Sequence, residues 1–173
     1  MYLLNVDRNA KTIKGQKKGY LTGIVYLAPH DVAGVNVCSM SELAGCRKAC
    51  LFTAGHAGFQ GTTMFTAVNG SVYRDNVIIR ARIRRTELFH NDRQLFLDTL
   101  NDEIIKLSNK AERKGLIPTV RLNGTSDIRW ENIKFDNGDT LFTRFPDLQF
   151  YDYTKINNRK NIPSNYHLSW SYS

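Results

Sequence analysis

The fold is decided by residues 97–123, which read LDTLNDEIIKLSNKAERKGLIPTVRLN. Apolar residues recur in the first part of this stretch every three or four positions, a spacing that places them along one face of a helix. Gly115 supplies a stop signal, and Pro118 prevents the helix from continuing. Residues 119–123 then have the composition of a strand. The stretch therefore predicts a helix with an apolar core face, followed directly by a strand.

Three further segments are predicted to be strands of the same sheet. Residues 20–28 are apolar and β-rich, and residues 148–153 and 166–171 follow farther along the chain. A strand, a crossover and another strand, repeated, are typical of parallel βα units. A complete (β/α)8 barrel needs about 200–250 residues, more than the 173 of this chain. We therefore predict an α/β fold, a partial TIM-like (β/α) barrel with about four to six mainly parallel strands.

The segments between these strands are predicted from local signals. Asp75 can cap a helix that runs to about residue 90, and Asn91 followed by Gln94 resembles a capping box for the next helix. Residues 54–72 are rich in glycine, alanine and threonine and are expected to be irregular. The turn signal at 136–139 would close a small hairpin.

The composition fits a single domain spanning residues 1–173. Hydrophobic residues make up 42% of the chain, enough to bury a core without disulfides. No apolar run reaches the roughly 18 residues that cross a bilayer, and the N-terminus shows no secretory signal. An odd number of cysteines, three, argues against a disulfide framework and favours a reducing, cytoplasmic setting.

A net charge of +8 is compatible with phosphate-bearing ligands or nucleic acid, and equally with an ordinary basic surface. Two basic segments stand out. Residues 1–19 are predicted to form an N-terminal arm or loop, whose lysines are Lys11, Lys14, Lys17 and Lys18. The second segment runs from Arg80 to Arg85 on the predicted helix. Each segment either contacts phosphates or forms a solvated face.

All three cysteines lie in one stretch, as Cys38, Cys46 and Cys50 in a C-x7-C-x3-C spacing. Residues 46–53 are compatible with a helix, and one helical face would then present the last two sulfurs. The first cysteine would come from the preceding loop. Thiolates suit iron–sulfur clusters, zinc and copper(I), so this stretch is predicted to be a metal-binding loop after the first core strand.

The number of thiolates favours one kind of metal centre. A structural zinc ion normally has four ligands, so zinc would need His56 or His30 in addition. Clusters that only transfer electrons normally use four cysteines. Three thiolates suit a [4Fe–4S] cluster with one iron left open to a substrate or cofactor. Buried apolar cysteines and a redox-sensing dithiol of Cys46 and Cys50 are the remaining alternatives.

In parallel α/β folds the chemistry lies where the strands end. Four segments meet there in the predicted sheet: the cysteine loop and residues 123–127, 152–155 and 169–173. The residues expected to act in catalysis are Asp127, Asp152 and Lys155. Those expected to hold the cofactor or substrate are Arg121, Asn123, Gly124 and Ser126. Arg121 and Lys155 would position an anionic group, and either carboxylate an amine or a ribose hydroxyl.

Several motifs resemble the phage "gene product 88" family. They include the cysteine stretch 45–50 and residues 82–89, 120–128, 149–155 and 163–168. The resemblance extends from about residue 20 to the end of the chain. It implies a viral origin, hence a place in the host cytoplasm, and it implies little about chemistry.

A weaker resemblance connects the chain with radical S-adenosylmethionine enzymes. Those enzymes also place three cysteines in the loop after the first strand of a partial or full barrel. Their usual spacing is C-x3-C-x2-C, which differs from the spacing here, and their glycine-glycine-glutamate motif has no clear counterpart. The resemblance implies S-adenosylmethionine as a second cofactor, with Asn123, Gly124 and Asp127 at the comparable strand end.

These observations lead to two functional hypotheses. The first is a [4Fe–4S] protein whose open iron binds a small molecule for redox chemistry. The second is a metal-stabilised, non-enzymatic module, holding zinc or a cluster, that binds nucleic acid or a host protein through the basic segments. Because a partial barrel leaves strand edges exposed, closure by a second copy of the chain would make a homo-oligomer.

Overall fold

The computed structural model describes residues 1–7, 10–46, 50–53, 56–59 and 61–171. The strands are β1 (Leu4–Val6), β2 (Tyr20–Val25), β3 (Met64–Thr66), β4 (Val72–Arg74), β5 (Ile117–Arg121), β6 (Gln149–Thr154) and β7 (Tyr166–Trp170). The α-helices are α1 (Ala10–Gln16), α2 (His56–Phe59), α3 (Val77–Asn91), α4 (Arg93–Arg113) and α5 (Leu141–Arg144). No helix of the described segments is both long and apolar enough to cross a membrane.

The main sheet has five strands in the order β1-β2-β5-β6-β7. The edge strand β1 runs antiparallel to β2, whereas β2, β5, β6 and β7 are parallel to their neighbours. The parallel strands follow chain order without a reversal, as in a barrel and unlike a doubly wound sheet. This mixed five-stranded sheet is the observed architecture, and its curvature into a partial barrel stays a prediction.

The long helix α4 covers one face of this sheet. Its predicted apolar stripe is buried, consisting of Leu97, Leu100, Ile104, Leu107 and Ala111. The stripe packs in one cluster with strand residues such as Leu21, Val120 and Phe150. The approach is close at Gly23, where an added Cβ would lie 3.0 Å from Leu107 Cδ2. The absence of a side chain at this position in β2 therefore lets the helix sit directly on the strand.

Alternate strand residues point away from α4 and form what we call the open face of the sheet. Thr22 and Thr119 form its floor, with their hydroxyl oxygens 2.8 Å apart. Arg121 and Tyr153 lie beside each other nearer the carboxyl ends of the strands, with the guanidinium 5.0 Å from the ring centre.

The prediction that residues 1–19 form an arm or loop is wrong. Residues 4–6 form the edge strand β1, and residues 10–16 form α1. The Glu103 carboxylate of α4 accepts hydrogen bonds from the backbone N–H groups of Leu3, at 2.9 Å, and Leu4, at 2.6 Å. A strand of three residues is too short to show a periodic pattern, so the sequence gives no sign of it.

Several local predictions also differ from the structure. The N-cap of α3 is Asn76, whose side chain accepts from two backbone N–H groups, and the N-cap of α4 is Asp92. The segment 54–72 contains β3, which pairs with β4 as a hairpin. The turn at 136–139 leads into α5 instead of a hairpin strand. These are choices between neighbouring polar residues or between short elements, for which local signals are weak.

The predicted helix over 46–53 is not found where the structure describes this segment. Cys46 lies in a turn, and Leu51–Thr53 forms a single turn of 3-10 helix. Residues 47–49 lie outside the described part of the chain. Cys46 and Cys50 therefore lie in non-helical segments, and not on one face of an α-helix.

The packing of α4 predicts that truncating two side chains of this helix will change the free energy of unfolding by very different amounts. Leu100 is fully buried and Ile105 is 44% exposed. We expect Leu100→Ala to lower the free energy of unfolding by about 2–5 kcal/mol through lost burial and a residual cavity. Ile105→Ala should change it by about 0.5 kcal/mol or less. Urea unfolding of both variants measures the difference, and equal effects would contradict this packing.

Candidate functional site

A cavity of about 170 Å³ lies at the carboxyl ends of the parallel strands. All three cysteines line it, together with residues 123–127 after β5, the end of β6 and Ser171 after β7. These are the four segments that sequence reasoning expected to meet. The parallel direction of the strands explains the meeting, because it delivers every following loop to the same edge of the sheet.

The three cysteines are free thiols, each half-buried. Burial, and after it the nearby Asp127, Cys46 and Cys50, raise the pKa of Cys38 to about 12. Burial also raises the pKa of Cys50. The thiols are thus close enough to repel one another when ionised. A bound cation would reverse this repulsion and release the protons.

The grouping of possible metal donors bears on the predicted metal site. Among the described residues, no three histidine, cysteine or acidic side chains are grouped so that they could hold one metal ion. In a [4Fe–4S] cluster each cysteine binds its own iron, so the sulfurs surround the cluster without converging on a point. The side chains of His30 and His56, the predicted zinc ligands, lie outside the described residues.

Asp127 ties three parts of the cavity wall together. One of its carboxylate oxygens accepts from the Thr154 hydroxyl at 2.8 Å, and the other accepts from the Lys155 backbone N–H at 2.9 Å. Its own N–H donates to the carbonyl of Val37 at 2.9 Å, next to Cys38. Asp127 therefore fixes the cysteine loop relative to β6, through its backbone N–H on one side and its carboxylate on the other.

Asn123 is 2% exposed, and its side chain builds the loop after β5. Its Oδ1 accepts from the Ser126 hydroxyl at 2.8 Å, from the Ile128 N–H at 3.0 Å and from the Trp130 indole at 3.1 Å. Asn123 and Ser126 were predicted as cofactor ligands. Their side chains instead form hydrogen bonds within the loop. They shape the wall of the cavity.

Gly124 is needed for close packing against β2. Its N–H donates to the carbonyl of Val25 at 3.0 Å, and an added Cβ would lie 2.5 Å from that oxygen. The structure thus gives a packing reason for glycine at this position, which also lines the cavity.

Asp152 lies beneath the cavity and is not among its lining residues. Its side chain is fully buried and accepts from the Asn123 N–H at 2.7 Å and the Tyr166 hydroxyl at 2.8 Å. Burial raises the pKa of this carboxyl to about 7. Lys155 does line the cavity, and its Nζ donates to the carbonyl of Ser171 at 3.1 Å.

Arg121 brings a positive charge to the cavity wall, as predicted for a group that holds an anion. Its side chain is 22% exposed, and its Nε is 3.8 Å from Asp152 Oδ1. That Nε is buried and has no hydrogen-bond partner. The guanidinium is therefore only partly satisfied by the protein.

Arg82 is a residue near the cysteines that sequence reasoning placed on a solvated face. It is 8% exposed and donates to the carbonyl of Phe52, two residues after Cys50. Its Nε is buried without a hydrogen-bond partner, and no carboxylate of the described segments forms an ion pair with it. Burial lowers its pKa to about 10, so it stays charged at neutral pH. A buried cation without a counter-anion is costly, and a thiolate-bound cluster would supply negative charge beside it.

The basic run 80–85 does not form a free basic surface. Arg80 pairs with Asp75 at 2.7 Å, and Arg85 donates to the carbonyl of Tyr2 at 2.8 Å. The buried ion pair of Arg159 with Glu131 is another contact that the sequence did not indicate. When two charged residues pair across the fold, the residues next to each of them in the sequence do not indicate which partner it has.

Together these features define an α/β protein with a thiol-lined cavity at the carboxyl edge of a parallel sheet. The family model described as Gene product 88 matches residues 3–173. The chain therefore belongs to the Gene product 88 family, the phage family that the motifs indicated, and the match includes β1 as well. No curated protein and no solved structure matches it.

The buried Asp152 predicts a specific dependence of stability on pH. Its pKa is about 7 in the folded state, above the ordinary value of about 3.9 in the unfolded chain. The folded state therefore binds the extra proton between these values, and this contribution to stability is lost as the pH rises from about 4 to about 7.

We expect Asp152→Asn to remove that part of the decline, because the amide keeps hydrogen bonds to Asn123 and Tyr166 without ionising. Urea unfolding of both proteins across this pH range measures the difference. The exposed Asp102→Asn is the control and should leave the wild-type profile unchanged. Parallel profiles for wild type and Asp152→Asn would show that this carboxyl does not titrate in the range.

Proposed function

We propose that the protein binds a [4Fe–4S] cluster through Cys38, Cys46 and Cys50 and presents the open iron to a small molecule. When bound and reduced, such a cluster supplies an electron to a ligand at its open iron. The protein would work in the host cytoplasm, where reducing conditions keep the thiols available.

The observation that carries this proposal is the buried guanidinium of Arg82, which has no carboxylate partner among the described residues. It lies near Cys50, one of the three thiols that line the cavity. Cys38 and Cys50 are neutral thiols in the metal-free protein, because burial raises the pKa of both. Arg82 then lacks a counter-anion. An anionic cluster would satisfy the arginine and the thiolates together.

The remaining charges of the cavity favour an anionic small molecule. Asp127 has both carboxylate oxygens engaged by neighbouring groups. Arg121 retains an unpartnered Nε, and Lys155 projects into the same cavity. These two cations would bind a carboxylate or phosphate, while the inorganic cluster occupies the thiol side.

S-adenosylmethionine is one candidate ligand, because it carries a carboxylate and an amine. The cavity of about 170 Å³ is smaller than the about 300–1,000 Å³ of typical small-molecule sites. A ligand of that size would therefore extend from the cavity along the open face, past Tyr153.

The residues predicted to be catalytic receive different roles in this proposal. Lys155 lines the cavity and is placed to touch the ligand. Asp127 positions the cysteine loop against β6. Asp152 accepts the Asn123 N–H and so positions the loop, and burial raises the pKa of its carboxyl to about 7.

The alternative function, a zinc-stabilised module that binds nucleic acid, requires different features of the structure. It needs a fourth ligand for a single ion and a free basic run at 80–85. Two arginines of that run are tied to protein groups, and Arg82 is buried. The alternative is tested by the same metal analysis, because zinc in place of iron would support it.

Reconstitution with iron and sulfide without oxygen tests the proposal directly. We expect about four irons per chain and the visible absorbance of an iron–sulfur cluster. Single Cys→Ser changes at 38, 46 and 50 should each abolish stable binding, because three thiolates are the minimum ligand set here. Ser39→Ala, next to the first cysteine, should keep full iron content. Zinc bound without iron would overturn the cluster.

Arg82 provides a test that separates the stability of the protein from its retention of iron. We expect Arg82→Met to keep the free energy of unfolding of the metal-free protein within about 1 kcal/mol, because removing an unpaired buried charge offsets the lost hydrogen bond. The same change should lower iron retention several-fold. The exposed Arg84→Met, two positions along α3, is the matched control. Unchanged retention with a large loss of stability would make Arg82 a purely structural residue.

A further inference from the structure

The open face of the sheet carries large exposed side chains. Tyr20 is 43% exposed, Ile117 is 55% exposed and Tyr153 is 51% exposed. Parallel sheets are normally covered on both faces. The exposed side chains lie toward the ends of the strands, whereas Thr22 and Thr119 on the floor between them are 6% and 5% exposed. Large exposed side chains at both ends of this face indicate a surface that a partner occupies.

Tyrosines mark a path across this face. Tyr20 pairs in register with Ile117 at the amino end of the strands, and Tyr153 lies near the cavity at the carboxyl end. Tyr151 lies between them, near Thr22 on the floor. At about 3.3 Å per residue the path is roughly 20 Å long. Rings in this arrangement offer successive flat surfaces on which planar groups stack.

The charge of this path is positive. No Asp or Glu occupies a strand position that points to the open face in β2, β5, β6 or β7. Arg121 lies over the Tyr153 ring and keeps an unpartnered buried Nε. At the other end the exposed Lys17 and Lys18 stand three and two positions before Tyr20. Cations thus stand at both ends of the row of rings.

We propose that the open face binds a single-stranded nucleic acid, with bases stacked on the tyrosines and phosphates held by the lysines and Arg121. Stacking on aromatic rings along a basic groove is how proteins hold single strands without reading sequence. The proposal goes beyond the cluster function and does not require a bound cluster. It also places nucleic-acid binding on a different surface from the arginines of α3, which the sequence had indicated.

Other occupants fit the surface less well. A second copy placed face to face would bring the cations of one chain against those of the other. In a duplex the bases are stacked on one another, so their faces are not available to stack on the tyrosine rings. A small molecule would not span a path of this length.

Fluorescence anisotropy with labelled oligothymidine and oligouridine of about eight nucleotides tests the proposal. We expect salt-sensitive binding of both, and a preference would identify DNA or RNA as the partner. Tyr20→Ala should weaken binding about tenfold. The double change Lys17→Glu/Lys18→Glu should weaken it at least as much and reduce the salt slope by about 1.4, the value for two lost phosphate contacts on a single strand.

Matched controls lie away from the open face. Tyr2→Ala removes a tyrosine that is 73% exposed, and Lys106→Glu/Lys134→Glu makes the same charge change at exposed positions. These variants should bind nearly as wild type. Circular dichroism confirms that each variant is folded.

Failure of this proposal is separable from failure of the cluster. Cys38→Ser cannot hold the cluster and should still bind the oligonucleotide. The proposal is overturned by no binding at low salt, by equal loss in the control variants or by equally tight binding of a duplex. A dimer in sedimentation that Tyr20→Ala dissociates would also overturn it, because the face would then join two copies.

Discussion

The direct packing of α4 on β2 and β5 is the contact on which the rest of the structure depends. Gly23 leaves room for Leu107 to lie against the strand, so the helix and sheet share one apolar core. With this layer fixed, β2, β5, β6 and β7 run in the same direction and end at one edge. The loops that follow them then meet around a common cavity, whatever their own sequences.

The cavity is held in shape by buried polar groups, which limits how far its wall can move. Asn123 and Asp127 each bond to several separate segments, and Asp152 lies under both with a neighbouring tyrosine hydroxyl. Such groups are costly to bury unless every partner is present. Residues that look catalytic by type therefore act largely as the frame of the site. Arg121 in the wall and Arg82 near Cys50 each keep a buried Nε without a hydrogen-bond partner.

The two proposals use different parts of one architecture. The cluster would sit at the carboxyl edge, where loops supply soft ligands, and the single strand would lie on the adjacent face, where strands supply rings and cations. Arg121 and Tyr153 belong to both regions, since they line the cavity and form the end of the path. A ligand strand would thus run toward the site at which the proposed cluster stands.

The sequence by itself determined the helix α4, the main strands and the convergence of four loops. These features rest on local periodicity and on the common direction of parallel strands, so they are readable from the order of residues. The three-residue strand β1 and the turn at Cys46 were missed, because short elements lack a repeat. Only the tertiary structure decided which charges are buried, as with Arg82, and which face of the sheet stays open. Burial and pairing depend on residues far apart in the chain, as when Asp127 contacts Thr154, and such partners leave no trace in local sequence.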